Sequence, residues 1–201
     1  FVKFGCVPFE YEFSVTSALV KVGTTSFQLD HQLMPASSNT ELFTSSLVCV
    51  CVDRATRQVS PMPDWWMTKY KPLSLDSPQP LRVSFKDAKP GSCKAEHMSI
   101  QVYPSDIDFY GHVNNTVYMK YANNSILNAF NKGLFSNIKQ RRALENAIKE
   151  IELDFITDAN EGDVLDAVTW QDSQSGHIWT KISLAEKPVY VQRILIDPVA
   201  V

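Results

Sequence analysis

Between Asn115 and Lys132 the chain carries its one convincing long helix, and that feature limits the folds open to it. Met119, Ala122, Ile126, Ala129 and Phe130 recur at helical spacing and form a single apolar stripe. Asn114 or Asn115 suits the helix start and Gly133 its end: a short polar side chain caps free N–H groups, and glycine tolerates the left-handed closing residue. Most of the remaining chain reads as strand. A helix with one apolar stripe, set among antiparallel strands, is stable only when the sheet wraps around it. The expected fold class is therefore α+β, an antiparallel sheet around a long central helix.

The strands fall on both sides of a proline-rich stretch. Pro61 to Pro90 holds six of the 11 prolines, shows little periodicity, and reads as a linker or extended crossing segment. This predicts a strand-only N-terminal unit over 1–67, a linker over 68–94 and a C-terminal domain over 95–201. In the back part HMSIQVY puts Met98, Ile100 and Val102 on one face. After the helix comes a shorter helical patch, RRALENAIKE, then the strands IELDFI, DVLDAVTW, HIWTKISLA and VYVQRILID. In the front part EFSVTSALVKV leads to a turn at Gly23, and Phe27, Leu29, His31 and Leu33 alternate with polar residues. PASSNTE is a loop, and LFTSSLVCVCVD, apolar on both faces near its end, is expected to be a central strand. The front strands weakly repeat the last strands of the back part, VCVCVDR against ILIDP. They bring no long helix of their own, so the front sheet should leave apolar surface for another segment or chain to cover.

Composition excludes several functions. A net charge of −3 argues against binding a nucleic-acid backbone. The longest wholly apolar run, Leu47 to Val52, is far too short to span a bilayer. Cys6, Cys49, Cys51 and Cys93 are irregularly spaced and do not form a disulfide framework, which favours a reducing, intracellular compartment. The chain starts at Phe1 with no leader, as expected of a processed, trimmed or partial chain.

The densest polar cluster is the loop from Asp106 to Asn115, immediately before the long helix. The N–H groups of a first helical turn are unpaired and carry partial positive charge, so they can hold a developing oxyanion. Asp108 is a candidate base or nucleophile, and His112 and Asn114 are candidate hydrogen-bonding partners, which together describe an acyl-transfer site. The same residue types also suit a loop with capping carboxylates and a satisfied histidine, and at this point both readings stand.

The segment SDIDFYGHVNNTVYMKYANN resembles the loop-plus-helix signature of hotdog-fold thioesterases, D-x-D-x-x-G-H-V-N-N-x-x-Y, through Asp106, Asp108, Gly111, His112, Asn114, Asn115 and Tyr118. The back part resembles one hotdog domain, and the front part resembles the later strands of a second, as in the double-hotdog acyl-ACP thioesterases. The resemblance implies two hotdog units, the N-terminal one incomplete. It places the catalytic aspartate at Asp108, the motif histidine at His112 and a further catalytic acid at Asp158, with Asn114 orienting Asp108 and substrate. Tyr110, Gly111, Asn115, Tyr118 and Met119 are expected to line the substrate, with the acyl chain along the helix toward Ile126. The chain departs from the family pattern in three ways: Tyr110 stands for an asparagine, Ala159 for a cysteine, and Asn123 and Asn124 where many acyl-CoA hotdogs carry a glutamate. The implied activity is hydrolysis of acyl thioesters on acyl carrier protein or CoA, with no metal or organic cofactor. The alternative is a non-catalytic hotdog subunit that binds acyl groups or scaffolds a larger complex. A homo-oligomer or larger assembly is expected, in the cytoplasm or an organelle such as a mitochondrion or plastid.

Overall fold

The computed structural model describes residues 12–36, 42–75 and 85–197. Cys6, most of PASSNTE and the middle of the proline-rich stretch lie outside the described residues. The described residues divide into two compact units, 12–75 and 85–197.

The first unit is a three-stranded antiparallel sheet in the order β1 (Phe13–Val22), β2 (Ser26–Pro35), β3 (Phe43–Val50). Its register pairs Val15 with Leu33, and Leu29 with both Leu19 and Leu47, so period-2 alternation collects the apolar residues on one face. The opposite face is polar. There Gln28 Nε2 donates to Ser46 Oγ at 2.7 Å, and both side chains donate to Asp30 Oδ1 at 3.0 and 2.6 Å. The expectation for LFTSSLVCVCVD is corrected: β3 is an edge strand among the described residues, not a central one. Its apolar run does not find cover on both sides, and Leu47 and Val50 are about half exposed, at 50 and 51 %. Val15 on the apolar face is 65 % exposed. The proline-rich stretch contains a short helix, α1 (Asp64–Tyr70), entered directly from Pro63. Proline is tolerated there because first-turn N–H groups have no helical partner to lose. Trp66 packs its ring 5.0 Å from Phe27 of β2, whereas Trp65 points away and is largely exposed.

The second unit carries β4 (Ala95–Gln101), α2 (Asn115–Asn131), α3 (Arg141–Asn146), β5 (Ile148–Phe155), β6 (Val164–Gln171), β7 (Ile178–Leu184) and β8 (Lys187–Ile196). The five strands pair antiparallel in the order β4-β6-β7-β8-β5, and α2 lies across β4, β6, β7 and β8. This is the hotdog arrangement, an α+β fold with one long helix held against the inner face of one antiparallel sheet. The order β1-β2-β3 in the first unit mirrors β6-β7-β8 in the second, as the weak repeat suggested.

The buried side of α2 includes Ala122, Ile126 and Ala129, with Met119 and Phe130 on its flanks. Tyr118, Tyr121 and Ser125 are also buried on it. A hydropathy stripe passes over these three because each carries a polar atom. The fold satisfies those atoms individually: Ser125 Oγ lies 2.7 Å from Thr169 Oγ1, which lies 2.9 Å from Thr180 Oγ1, a hydroxyl chain running from helix to sheet. The helical patch RRALENAIKE ends earlier than its composition implies. Only Arg141–Asn146 is helix, and the backbone from Ile148 pairs with β8 instead. No helix among the described residues is long and apolar enough to cross a membrane.

Candidate functional site

The polar loop is built as a tight turn closed by its own backbone. Gly111 N–H donates to the Asp108 carbonyl at 3.0 Å, and Asp108 N–H donates back to the His112 carbonyl at 3.0 Å. A single bridge between Ile107 and Val113 flanks the turn. Asp at the first position and glycine at the fourth suit a four-residue turn that leaves through a left-handed residue. Gly111 has φ +86°, which explains the glycine. Asp108 Oδ1 also accepts from Tyr110 N–H at 2.8 Å, so its carboxylate is pinned by the turn it starts.

His112 sits across the turn. Its Nδ1 is 3.9 Å from Asp108 Oδ1, and the two side chains are 16 and 15 % exposed. That distance is too long for a hydrogen bond. Nδ1 is instead 3.2 Å from the Val113 carbonyl, which can only accept. This contact places the proton on Nδ1 in the neutral ring and leaves Nε2 as the acceptor. The Tyr110 ring lies nearly parallel to His112, centroids 6.1 Å apart and planes 12° apart. Tyr110 and its neighbour Phe109 are exposed, Phe109 to 87 %.

Directly after the turn the chain enters α2. Asn114 is its N-cap, Oδ1 accepting from Thr116 N–H at 2.9 Å and from Thr116 Oγ1 at 2.7 Å. Asn115 is the first helical residue. The N-cap of α2 therefore follows the Asp108–His112 turn by two residues, and the positive end of the helix can stabilise negative charge that develops beside it.

Asp106 turns the opposite way. It is 4 % exposed, and its carboxylate accepts from Tyr121 Oη at 2.7 Å, Tyr103 N–H at 3.0 Å and Lys120 Nζ at 3.1 Å. Burial opposes its charge, but the bonds from Tyr121, Tyr103 and Lys120 outweigh burial and hold the carboxyl below its usual range. Asp106 thus ties the loop to α2. Sequence reading had no means of assigning it this task; the only signal was a lysine and a tyrosine on α2, 14 and 15 residues on.

Asp158 lies in the segment that follows β5, next to a residue bonded to the motif loop. It is exposed, but its neighbour Ala159 is fully buried, and the Ala159 carbonyl accepts from Val113 N–H at 2.9 Å. The structure therefore brings the Asp158 segment against the motif loop across 45 residues of sequence. Tyr118 and Met119 fall on different surfaces. Tyr118 is 2 % exposed and packed among Tyr121, Phe155 and Tyr190, whereas Met119 is half-buried at the flank of the same core. Ile126, expected along the acyl chain, is enclosed with Ala129, Ile178 and Ile194. Among the described residues no group of His, Cys, Asp or Glu side chains is placed to hold a metal ion.

Residues 102–191 match the sequence model of the Thioesterase-like superfamily. No curated protein sequence matches the chain. Among solved structures it is similar to the 12:0-ACP thioesterase from Umbellularia californica, at 14 % identity and a TM-score of 0.66, over 90 % of this chain and 66 % of that one. It is also similar to an acyl-ACP thioesterase from Bacteroides thetaiotaomicron, at 17 % identity and a TM-score of 0.64, over 92 % of this chain and 68 % of that one. The likeness is one of fold, and the chain spans about two thirds of the length of these structures.

Proposed function

We propose that this hotdog chain, whose second unit carries the match to the Thioesterase-like superfamily, hydrolyses acyl thioesters to a free acid and a thiol. The supporting observation is Asp108: a carboxylate 15 % exposed, pinned by Tyr110 N–H, facing His112, and on the turn that leads into the N-cap Asn114 of the long helix. In this reading the thioester carbonyl lies at the start of α2, near Asn115. Asp108 either takes the proton of an attacking water or attacks the carbonyl carbon itself. The C–O bond forms as the carbonyl π pair moves onto oxygen, where the helix N-terminus stabilises it. Collapse of the tetrahedral species breaks the C–S bond: on the water route the thiolate takes back the proton held by Asp108, and on the direct route an acyl–Asp108 anhydride remains, which a water then hydrolyses, giving one proton to the thiolate. His112, with Nε2 free to accept, and Asn114 orient the reacting groups. Asp158 enters from the segment bonded to Val113 and holds water for the hydrolytic step. Gly111, Tyr110 and Met119 line the approach.

The test is hydrolysis of acyl-CoA and acyl-ACP substrates of graded chain length, with Asp108→Ala alongside wild type. The reading expects wild-type turnover, and a loss of at least about 10²-fold in the variant with unchanged folding. Turnover that survives Asp108→Ala overturns the assignment of Asp108. A wild type that turns over no acyl chain, yet is raised in melting temperature by acyl ligands, supports the binding-subunit reading instead. The Tyr110 ring lying over His112 is the observation that favours that second reading.

A further inference from the structure

We infer that Tyr118 is a positioning residue, whose hydroxyl holds the segment carrying Asp158 against the motif loop; the inference rests on the thioesterase reading above. Tyr118 is the motif tyrosine, in the first turn of α2, where the resemblance suggests a substrate contact. The structure encloses it instead. Its ring stacks on Tyr190 at 5.6 Å and 12°, and meets Tyr121 and Phe155 edge-on at 6.5 and 6.4 Å. At 2 % exposure the side chain presents no face to a bound acyl group.

Its one polar atom has a defined partner. Tyr118 Oη accepts from Ala159 N–H at 2.9 Å. The carbonyl of the same residue accepts from Val113 N–H at 2.9 Å. Ala159 is fully buried and has no polar side chain, so these two bonds are what its backbone offers and receives. On the other side of Asp158, Thr157 and Ile156 both donate to the Val189 carbonyl of β8, at 3.4 and 3.0 Å. Asp158 is therefore bracketed. One flank is fastened to the sheet, the other to α2 through Tyr118 and to the motif loop through Val113. A catalytic carboxylate on an otherwise irregular segment needs such fastening, since misplacement by about 1 Å can cost about 10² in rate.

The electrostatics agree with a tie and not with proton transfer. Burial, opposed by the Ala159 bond and helped by the charges of Asp158 and Asp163, pushes the Tyr118 phenol up to about 12. Tyr118 stays neutral at any working pH, and so remains an acceptor for Ala159.

Tyr118→Phe removes the hydroxyl and keeps the packed ring. Measured with wild type, Asp158→Asn and the double variant, it is expected to lower kcat by about 10- to 100-fold with KM within about threefold. In the Asp158→Asn background the same substitution should cost almost nothing more, because there is no carboxylate left to position. Amide exchange at Ala159 should accelerate in both backgrounds. Tyr190→Phe is the control. It deletes another buried phenol hydroxyl, bonded to Gln192 at 2.8 Å, without touching Ala159, and should lower melting temperature while leaving kcat in place. Independent, multiplicative losses in the double variant overturn the inference, as does full activity of Asp158→Asn or an unchanged kcat in Tyr118→Phe. These results leave the thioesterase reading standing. A wild type without turnover, by contrast, overturns that reading and the role of Asp158 with it.

Discussion

Replacing Asp106 should unfold the site from beneath without touching the reacting atoms. The carboxylate is 4 % exposed and accepts three hydrogen bonds, from Tyr121 Oη, Tyr103 N–H and Lys120 Nζ. Bonds to a charged acceptor are worth about 1.5–3 kcal/mol each when the partners are buried. The Lys120 side chain is 58 % exposed and can return to water, so that bond is discounted to about 1 kcal/mol or less. Tyr121, 4 % exposed, has no such recourse, and its hydroxyl is left unsatisfied. Asp106→Ala should therefore cost about 3–5 kcal/mol, within the usual range for breaking a buried pair. Thermal denaturation should show this as a fall of roughly 10–20 °C. The pH dependence adds a second reading. The folded carboxyl lies below its ordinary range, so its contribution is fully present above about pH 4 and is lost as pH falls through the folded value. Wild type should lose stability steeply on that acid limb, and Asp106→Asn should lose it less steeply. A variant within about 0.5 kcal/mol of wild type at pH 7, or one with the same acid limb, refutes the argument that Asp106 anchors the loop.

Other substitutions probe the same loop and core. Gly111→Ala meets open space but a φ of +86°, so its cost is backbone alone, about 1–2 kcal/mol by denaturation, with Gly111→Asn milder. Asn114→Ala removes the cap on Thr116 and should cost about 0.5–2 kcal/mol; a variant as stable as wild type would contradict the capping geometry. Thr169→Val keeps the volume but breaks the hydroxyl chain between Ser125 and Thr180, at about 1–3 kcal/mol, with no direct effect on KM.

What the sequence determined by itself is local. The span of α2, a cap at Asn114 or Asn115 and the glycine after it depend on spacing and short-range hydrogen bonds, and these are legible in a one-dimensional string. The Asp108–Gly111 turn is as local, its partners never more than four residues apart, although the sequence reading gave only a polar loop there. Tertiary structure decided whatever depends on a residue from elsewhere in the chain. Asp106 and Asp108 are two positions apart and chemically identical, yet one is turned inward to Tyr121 and Lys120 and the other toward His112. The apolar run of β3 gave no sign of its edge position, because hydropathy records what a strand can bury and not what lies beside it. Tyr118 reads as a motif tyrosine in sequence; only the approach of Ala159 from 41 residues away gives its hydroxyl a partner. Contacts at such separations are set by strand order and register, which a single chain of letters does not state.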